Sequence, residues 1–253
     1  MIILISPSKD LDFTTESPVS NTVPRLWSHS LQLLELMQKK SVNGIKKMMD
    51  ISDKLAKENY DRYQKMKPEF GTENSKPALY AFSGDVYRGL DVLSMDPESI
   101  EYCSERLKML SGLYGLLRPM DLIQPYRLEM GIQLKHKKTK NLVQFWKNKL
   151  TELLIQDIED TNSKYLINLA SNEYFEAVER DKIKIPIIHI HFRELRNGKI
   201  NFLSFNAKKA RGLMVRYMAE NKIETLNSIQ KFNIENYQFD AQLSDSTNFY
   251  FVR

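Results

Sequence analysis

Met1-Ile2-Ile3-Leu4-Ile5-Ser6-Pro7-Ser8-Lys9 opens the chain. Residues 2–5 are apolar at every position rather than at every second one, so a strand built from them must be covered on both faces. That places it in the middle of a sheet with helices packed against it. The strand then runs out into a polar loop at Ser6, Pro7, Ser8 and Lys9, where side chains able to hold a ligand come directly after buried backbone.

The rest of the chain is consistent with that centre. Its 253 residues, 42% of them apolar and 27% charged, suffice for a full core without metal or disulfide staples, so a single domain over residues 1–253 is expected. The apolar run at the start is too short for a signal peptide, and no window approaches the roughly 18 apolar residues of a spanning helix. The expectation is a cytoplasmic protein without a membrane partner, acting as a monomer. Cys103 is the only cysteine. It allows no internal disulfide and no Cys-based zinc site, and it reads either as a small buried hydrophobe or as a peroxide-sensing thiol.

Outward from the first strand, residues 24–63 carry a helical pattern with room for two or three helices, and Ser52 can cap the one that starts at Asp53. Residues 65–77 are polar and hold Pro68, Gly71 and Pro77, which marks a loop. Ala78-Leu79-Tyr80-Ala81-Phe82 reads as a strand feeding a polar turn over residues 83–90, while residues 106–110 fit strand or helix. Residues 142–158 read as a helix anchored by Phe145 and Trp146. Strands are expected at residues 165–170, 185–192, 200–205 and 248–252. A helix over 207–221, capped by Asn206, would turn Ala210, Met214, Tyr217 and Met218 inward and leave Lys209 and Arg216 on another face. The interleaving gives an α/β (mixed α+β) protein, one compact domain with a mixed sheet and packed helices.

Several segments can carry chemistry. In Leu110-Ser111-Gly112-Leu113-Tyr114-Gly115-Leu116-Leu117-Arg118-Pro119, Gly112 and Gly115 would let backbone amides reach phosphate oxygens, with Arg118 adding a bidentate donor. The alternative is a purely structural turn. Asp121, Gln124, Tyr126, Arg127 and Glu129 come next, flanked by two prolines, as a rigid site or as an internal ion-pair network. Lys208, Lys209, Arg211 and Arg216 form a basic cluster, and six lysines between Glu129 and Glu152 form another. Both suit phosphates, although solvated lysines need no partner. Ser171, Asn172 and Glu173 come after a strand, where open sheets bind ligands, though Ser171 or Asn172 can also be a simple helix cap. With Ser6, Lys9, Asp85 and Lys209 they supply the groups a hydrolase or transferase needs; Lys9, Asp85, Ser171 and Glu173 are the catalytic candidates. His189 and His191 share a strand face, as a structural pair or as two metal ligands without a third. No cofactor is expected, and no nucleotide, Walker, zincin or nucleophile-elbow motif occurs.

Taken together, Ile3 to Lys9, Ser52-Asp53-Lys54-Leu55-Ala56, Ser83-Gly84-Asp85-Val86-Tyr87, residues 109–131, 167–174 and 207–214 resemble the YaaA family of peroxide-stress proteins, in the same order along nearly the whole chain. The resemblance implies a cytosolic protein of the hydrogen peroxide response that limits oxidative damage, with an effect on intracellular free iron. It also implies an α/β unit of unusual topology, a basic cleft, a helix-hairpin-helix-like element and binding to double-stranded DNA. Gly112, Gly115, Arg118, Arg127, Lys208, Lys209 and Arg211 are the residues assigned to phosphate on this reading. The alternative is an enzyme acting on a nucleotide or another small phosphorylated ligand in a polar pocket at the strand ends.

Overall fold

The computed structural model describes residues 1–20 and 22–253. From the N-terminus the chain forms β1 (Ile2–Ile5), β2 (Asp10–Leu11), α1 (Trp27–Gln38), α2 (Val42–Met49), α3 (Asp53–Lys65), β3 (Lys76–Pro77), α4 (Ala78–Ala81), β4 (Phe82–Ser83), α5 (Asp85–Leu90) and α6 (Pro97–Arg106). A hairpin of β5 (Leu107–Ser111) and β6 (Gly115–Leu117) comes next, then β7 (Leu122–Ile123), α7 (Leu142–Asp160), β8 (Leu166–Asn168) and α8 (Asn172–Phe175). The chain ends with β9 (Ile187–Arg196), β10 (Lys199–Asn201), α9 (Ser204–Glu220), β11 (Gln238–Phe239) and β12 (Asn248–Val252).

The main sheet has the order β11-β12-β9-β8-β1-β5-β6, with β10 paired to β9. Its inner strands β5, β1, β8, β9 and β12 are all parallel, and antiparallel β6 and β11 close the edges. β1 is central and wholly buried, as its unbroken apolar run requires. One hydrophobic cluster extends from Met1 to Phe251, so the described residues share a single core. Among them no helix is long and apolar enough to cross a membrane.

Ser52 caps α3 by accepting from Leu55 N, and residues 248–252 form a strand, both as expected. Five expectations need correction. Ala78-Leu79-Tyr80-Ala81 is a short helix, not a strand: it is buried on all sides, and a short run of unbroken apolar residues has no period to separate the two. Residues 85–90, expected as a turn, form α5, which starts directly after Gly84 at φ 121°. The strand expected over 200–205 stops at Asn201, and α9 begins at Ser204. Asn206 does not cap it; its side-chain amide donates to Glu194 instead.

Gly112 and Gly115 also depart from expectation. They lie in the tight connection of the β5–β6 hairpin, where Ser111 pairs with Gly115. Gly115 has φ 73°, and a Cβ on it would stand 2.9 Å from the Trp146 ring. The Gly112 carbonyl accepts from Trp146 Nε1 at 2.8 Å. Both glycines thus belong to a buried strand hairpin, the structural-turn alternative, rather than to a loop that offers its amides to phosphate. A two-helix hairpin does occur upstream, where α2 and α3 are joined by only Asp50, Ile51 and Ser52, with Asp50 in the left-handed region at φ 50°.

Candidate functional site

The chain runs from β1 to β5 on one side of it and later returns to β8 on the other side. Loops leaving the carboxyl ends of β1 and β8 therefore lie side by side at the kind of position where open α/β sheets bind ligands. Ser6 leaves β1 and Ser171 lies just past β8, and the two meet there. Ser171 N donates to Ser6 Oγ at 2.9 Å, and Ser6 Oγ donates to Ser171 Oγ at 3.3 Å. Tyr87 of α5 donates its hydroxyl to Ser6 O at 3.1 Å. Asn168, the last residue of β8, shapes the turn by accepting from Ala170 N at 3.0 Å.

Beyond Ser6, Lys9 borders a small crevice lined also by Pro7, Ser8, residues 126–129 and Tyr174. Its Nζ is 3.2 Å from Glu129 Oε1, which Arg127 also approaches at 3.0 Å. The other carboxylate oxygen, Oε2, is buried and without a partner among the described residues, and Glu129 as a whole is only 7% exposed. Two residues beyond Glu129, Gly131 N donates to Glu173 Oε1 at 3.1 Å. Of the catalytic candidates only Lys9 lines this crevice, while Ser171 is held by Ser6 and Glu173 by Gly131 N. Asp85 starts α5 next to Gly84, whose Cβ would stand 2.6 Å from Ser8 Oγ, but the Asp85 carboxylate pairs with Arg88 at 3.5 Å.

The segment carrying Arg127 and Glu129 is clamped. Tyr126 OH and Ser111 Oγ are 2.7 Å apart, Tyr63 donates its hydroxyl to Arg127 O, and Gln124 Nε2 donates to Lys67 O at 2.7 Å. Burial pushes the Tyr87, Tyr126 and Tyr174 phenols up, and the Glu129 carboxylate adds to this for Tyr126 and Tyr174. They stay protonated at neutral pH and serve as hydrogen-bond donors. Tyr63, Tyr87 and Tyr174 gave no local signal in the sequence, because what matters is their convergence from three separate helices.

The residues assigned to phosphate are dispersed. Gly112 and Gly115 are buried, Arg118 forms an ion pair with Asp121 at 2.7 Å, and Arg127 is held by Glu129. Lys209 pairs with Glu235. Lys208 is exposed, and Arg211 lies close to Arg193, which the sequence did not single out. His189 Nδ1 lies 3.0 Å from Asn168 Nδ2, and His191 Nε2 lies 3.1 Å from Asn248 Oδ1, with its ring stacked on Tyr250 at 4.5 Å. Burial above all pushes both imidazoles down. Cys103 is 1% exposed, and burial pushes its thiol up to about 12.

Comparison with known proteins adds lineage to this geometry. A family model described as "Peroxide stress protein YaaA" matches residues 1–243. A UPF0246 protein of Hahella chejuensis is 42% identical over 254 aligned residues, which cover 100% of this chain and 99% of that protein. A UPF0246 protein of Alteromonas mediterranea is 42% identical and one of Aliivibrio fischeri 44%, each over 100% of this chain and 98% of the relative.

Proposed function

Because the chain belongs to the peroxide stress protein YaaA family, its place is in the oxidative-stress response, and we propose that it serves there by binding the backbone of double-stranded DNA, largely irrespective of sequence. The observation that carries this reading is the α2–α3 hairpin. From Lys39 to Lys57 six lysines face two acids, Asp50 and Asp53, and Asp53 is itself held by Lys46 at 2.8 Å. Lys47 and Lys54 are exposed on either side of the turn, next to the first amides of α3. A three-residue turn that aims a helix N-terminus and lysines outward suits a phosphate without reading a base. The protein acts here as a monomer that shields DNA, and its effect on intracellular free iron is indirect.

The test is an anisotropy titration of a short duplex across a salt series. Changing Lys47 and Lys54 together to alanine should lower the slope of log affinity against log salt by about 1.8, at roughly 0.9 for each phosphate no longer neutralised. Binding of the double variant with the parent's affinity and slope would sink the reading.

The crevice favours a second reading, an enzyme acting on a nucleotide or another small phosphorylated ligand. The unpartnered Glu129 Oε2 supports it, because a buried carboxylate oxygen without a donor is costly unless a ligand supplies one. Lys9, which borders the crevice, would contact that ligand. Glu129→Gln should abolish turnover of such a ligand with the fold intact, and full turnover in that variant would exclude the crevice as the site.

A further inference from the structure

Arginines in this protein are nearly all matched by acids. Except for Arg180, Arg193 and Arg211, every one has a carboxylate oxygen within 3.5 Å. Arg180 rests on the Phe175 ring. Arg193 and Arg211 have no carboxylate partner among the described residues, although both are partly buried.

Arg193 is held in place. Its guanidinium packs against the Phe202 and Tyr250 rings at 5.2 and 5.5 Å, and its NH1 donates to Phe192 O at 2.9 Å. Arg211, on α9, makes no side-chain hydrogen bond among the described residues. Burial first, and then the charge of Arg193, push its guanidinium down from its ordinary value. Lys208, one turn earlier on the same helix face, is exposed and also lacks a carboxylate partner. Phe205 and Phe202 leave large apolar surfaces open nearby.

Two guanidiniums that repel each other in a partly desolvated place destabilise the fold unless an anion completes them. Their planar donor forks match phosphate oxygens, and three cations match a charge near −2 better than the single charge of a carboxylate or a backbone phosphodiester. From this geometry we infer that Arg193, Arg211 and Lys208 form a receptor for a terminal phosphate, a phosphomonoester dianion carried by a nucleotide whose base or sugar rests on the neighbouring phenylalanines. The receptor belongs to β9 and α9, stands apart from the α2–α3 hairpin and does not depend on it. A free nucleotide and the 5′-phosphate of a DNA end present the same group.

The experiment is calorimetric titration of the full chain with AMP and with adenosine, alongside anisotropy with duplexes bearing 5′-phosphate or 5′-hydroxyl ends. AMP should bind and adenosine should bind at least about tenfold more weakly. Arg193→Gln and Arg211→Gln should each weaken phosphate-dependent binding about ten- to a hundredfold, the loss expected for hydrogen bonds to a charged group. Lys208→Ala, at an exposed position, is the variant least able to disturb folding and should weaken it in the same direction. Thermal unfolding checks the fold, and Arg211→Gln should unfold no earlier than the parent, since it removes an unmatched cation. A preference for 5′-phosphorylated duplex without AMP binding would assign the receptor to DNA ends. Equal binding of both members of each pair would overturn the inference, as would parental binding by the folded arginine variants. Persistence of the phosphate preference in the Lys47→Ala, Lys54→Ala protein would show that the two surfaces stand or fall separately.

Discussion

Gly212 of α9 is where the geometry of the carboxyl edge is most easily broken. A Cβ there would press into the Val86 carbonyl oxygen and stand 2.7 Å from Leu90 N and 2.9 Å from Val86 C. Carbon prefers such neighbours at about 3.5 Å, so Gly212→Ala must drive α5 and α9 apart by more than about an ångström. Overpacking a rigid contact costs about 1–3 kcal/mol; this one abuts backbone, which has little room to yield, and so belongs at the upper end. The higher helix propensity of alanine offsets about 1 kcal/mol, leaving a net loss of about 2 kcal/mol. For a chain of this size that lowers the unfolding midpoint by about 4–8 °C. Gly44 of α2 is the control, because its Cβ would meet nothing nearer than Ser41 Oγ at 3.4 Å, and Gly44→Ala should leave the midpoint unchanged or raise it. Thermal scans by circular dichroism measure both. A Gly212→Ala protein unfolding within about 1 °C of the parent would refute the packing argument. The same displacement would move Tyr87 away from Ser6 and shift Arg211, so ligand binding at the carboxyl edge should weaken even in the fraction that stays folded.

Cys103 should be inert as a peroxide sensor: a thiol-labelling reagent should leave it unmodified in the native protein and react fully after denaturation, and rapid native labelling would contradict the burial that pushes it up to about 12. All four histidines are pushed down, chiefly by burial, so below about pH 6.5 the unfolded chain takes up protons that the folded chain refuses. The stability they contribute is complete above that pH and is lost as pH falls through the folded values. The unfolding midpoint should therefore drop between about pH 7.5 and 5.5, less steeply in a His189→Gln, His191→Gln protein, and a flat or rising midpoint would count against this account.

The fold was legible where the sequence pattern had one structural meaning. β1 is central because residues 2–5 are apolar without alternation, and Ser52 caps α3 because a hydroxyl before a helical run satisfies the amide of Leu55. It was illegible where tertiary contacts decided. Asn206 has the chemistry of a helix cap, but Glu194 and its arginine partners draw its amide away, and the helix starts at Ser204 instead. Gly112 and Gly115 have the chemistry of a phosphate loop, but they lie in a buried turn, where Gly112 leaves room for the Leu128 backbone and Gly115 for the Trp146 ring. Glycine permits close approach without saying what approaches.

The site was legible residue by residue and illegible as an assembly. Lys9, Ser171 and Glu173 were recognisable as polar groups after strands, since a strand end in an open sheet exposes the residues just beyond it. The contact of Ser171 with Ser6 depends on strand order, and a local reading contains nothing that places β8 beside β1 while β5 takes the other side. Arg193 was overlooked for the converse reason. One arginine in a strand of alternating burial looks like an ordinary outward-facing charge, and nothing beside it in the sequence shows that it lacks an acid. Its lack of a partner becomes visible only after the other arginines have been matched to theirs. In a protein that neutralises its arginines so consistently, the unmatched pair carries more functional information than any lysine-rich run, because exposed lysines cost little when left alone and half-buried guanidiniums do not.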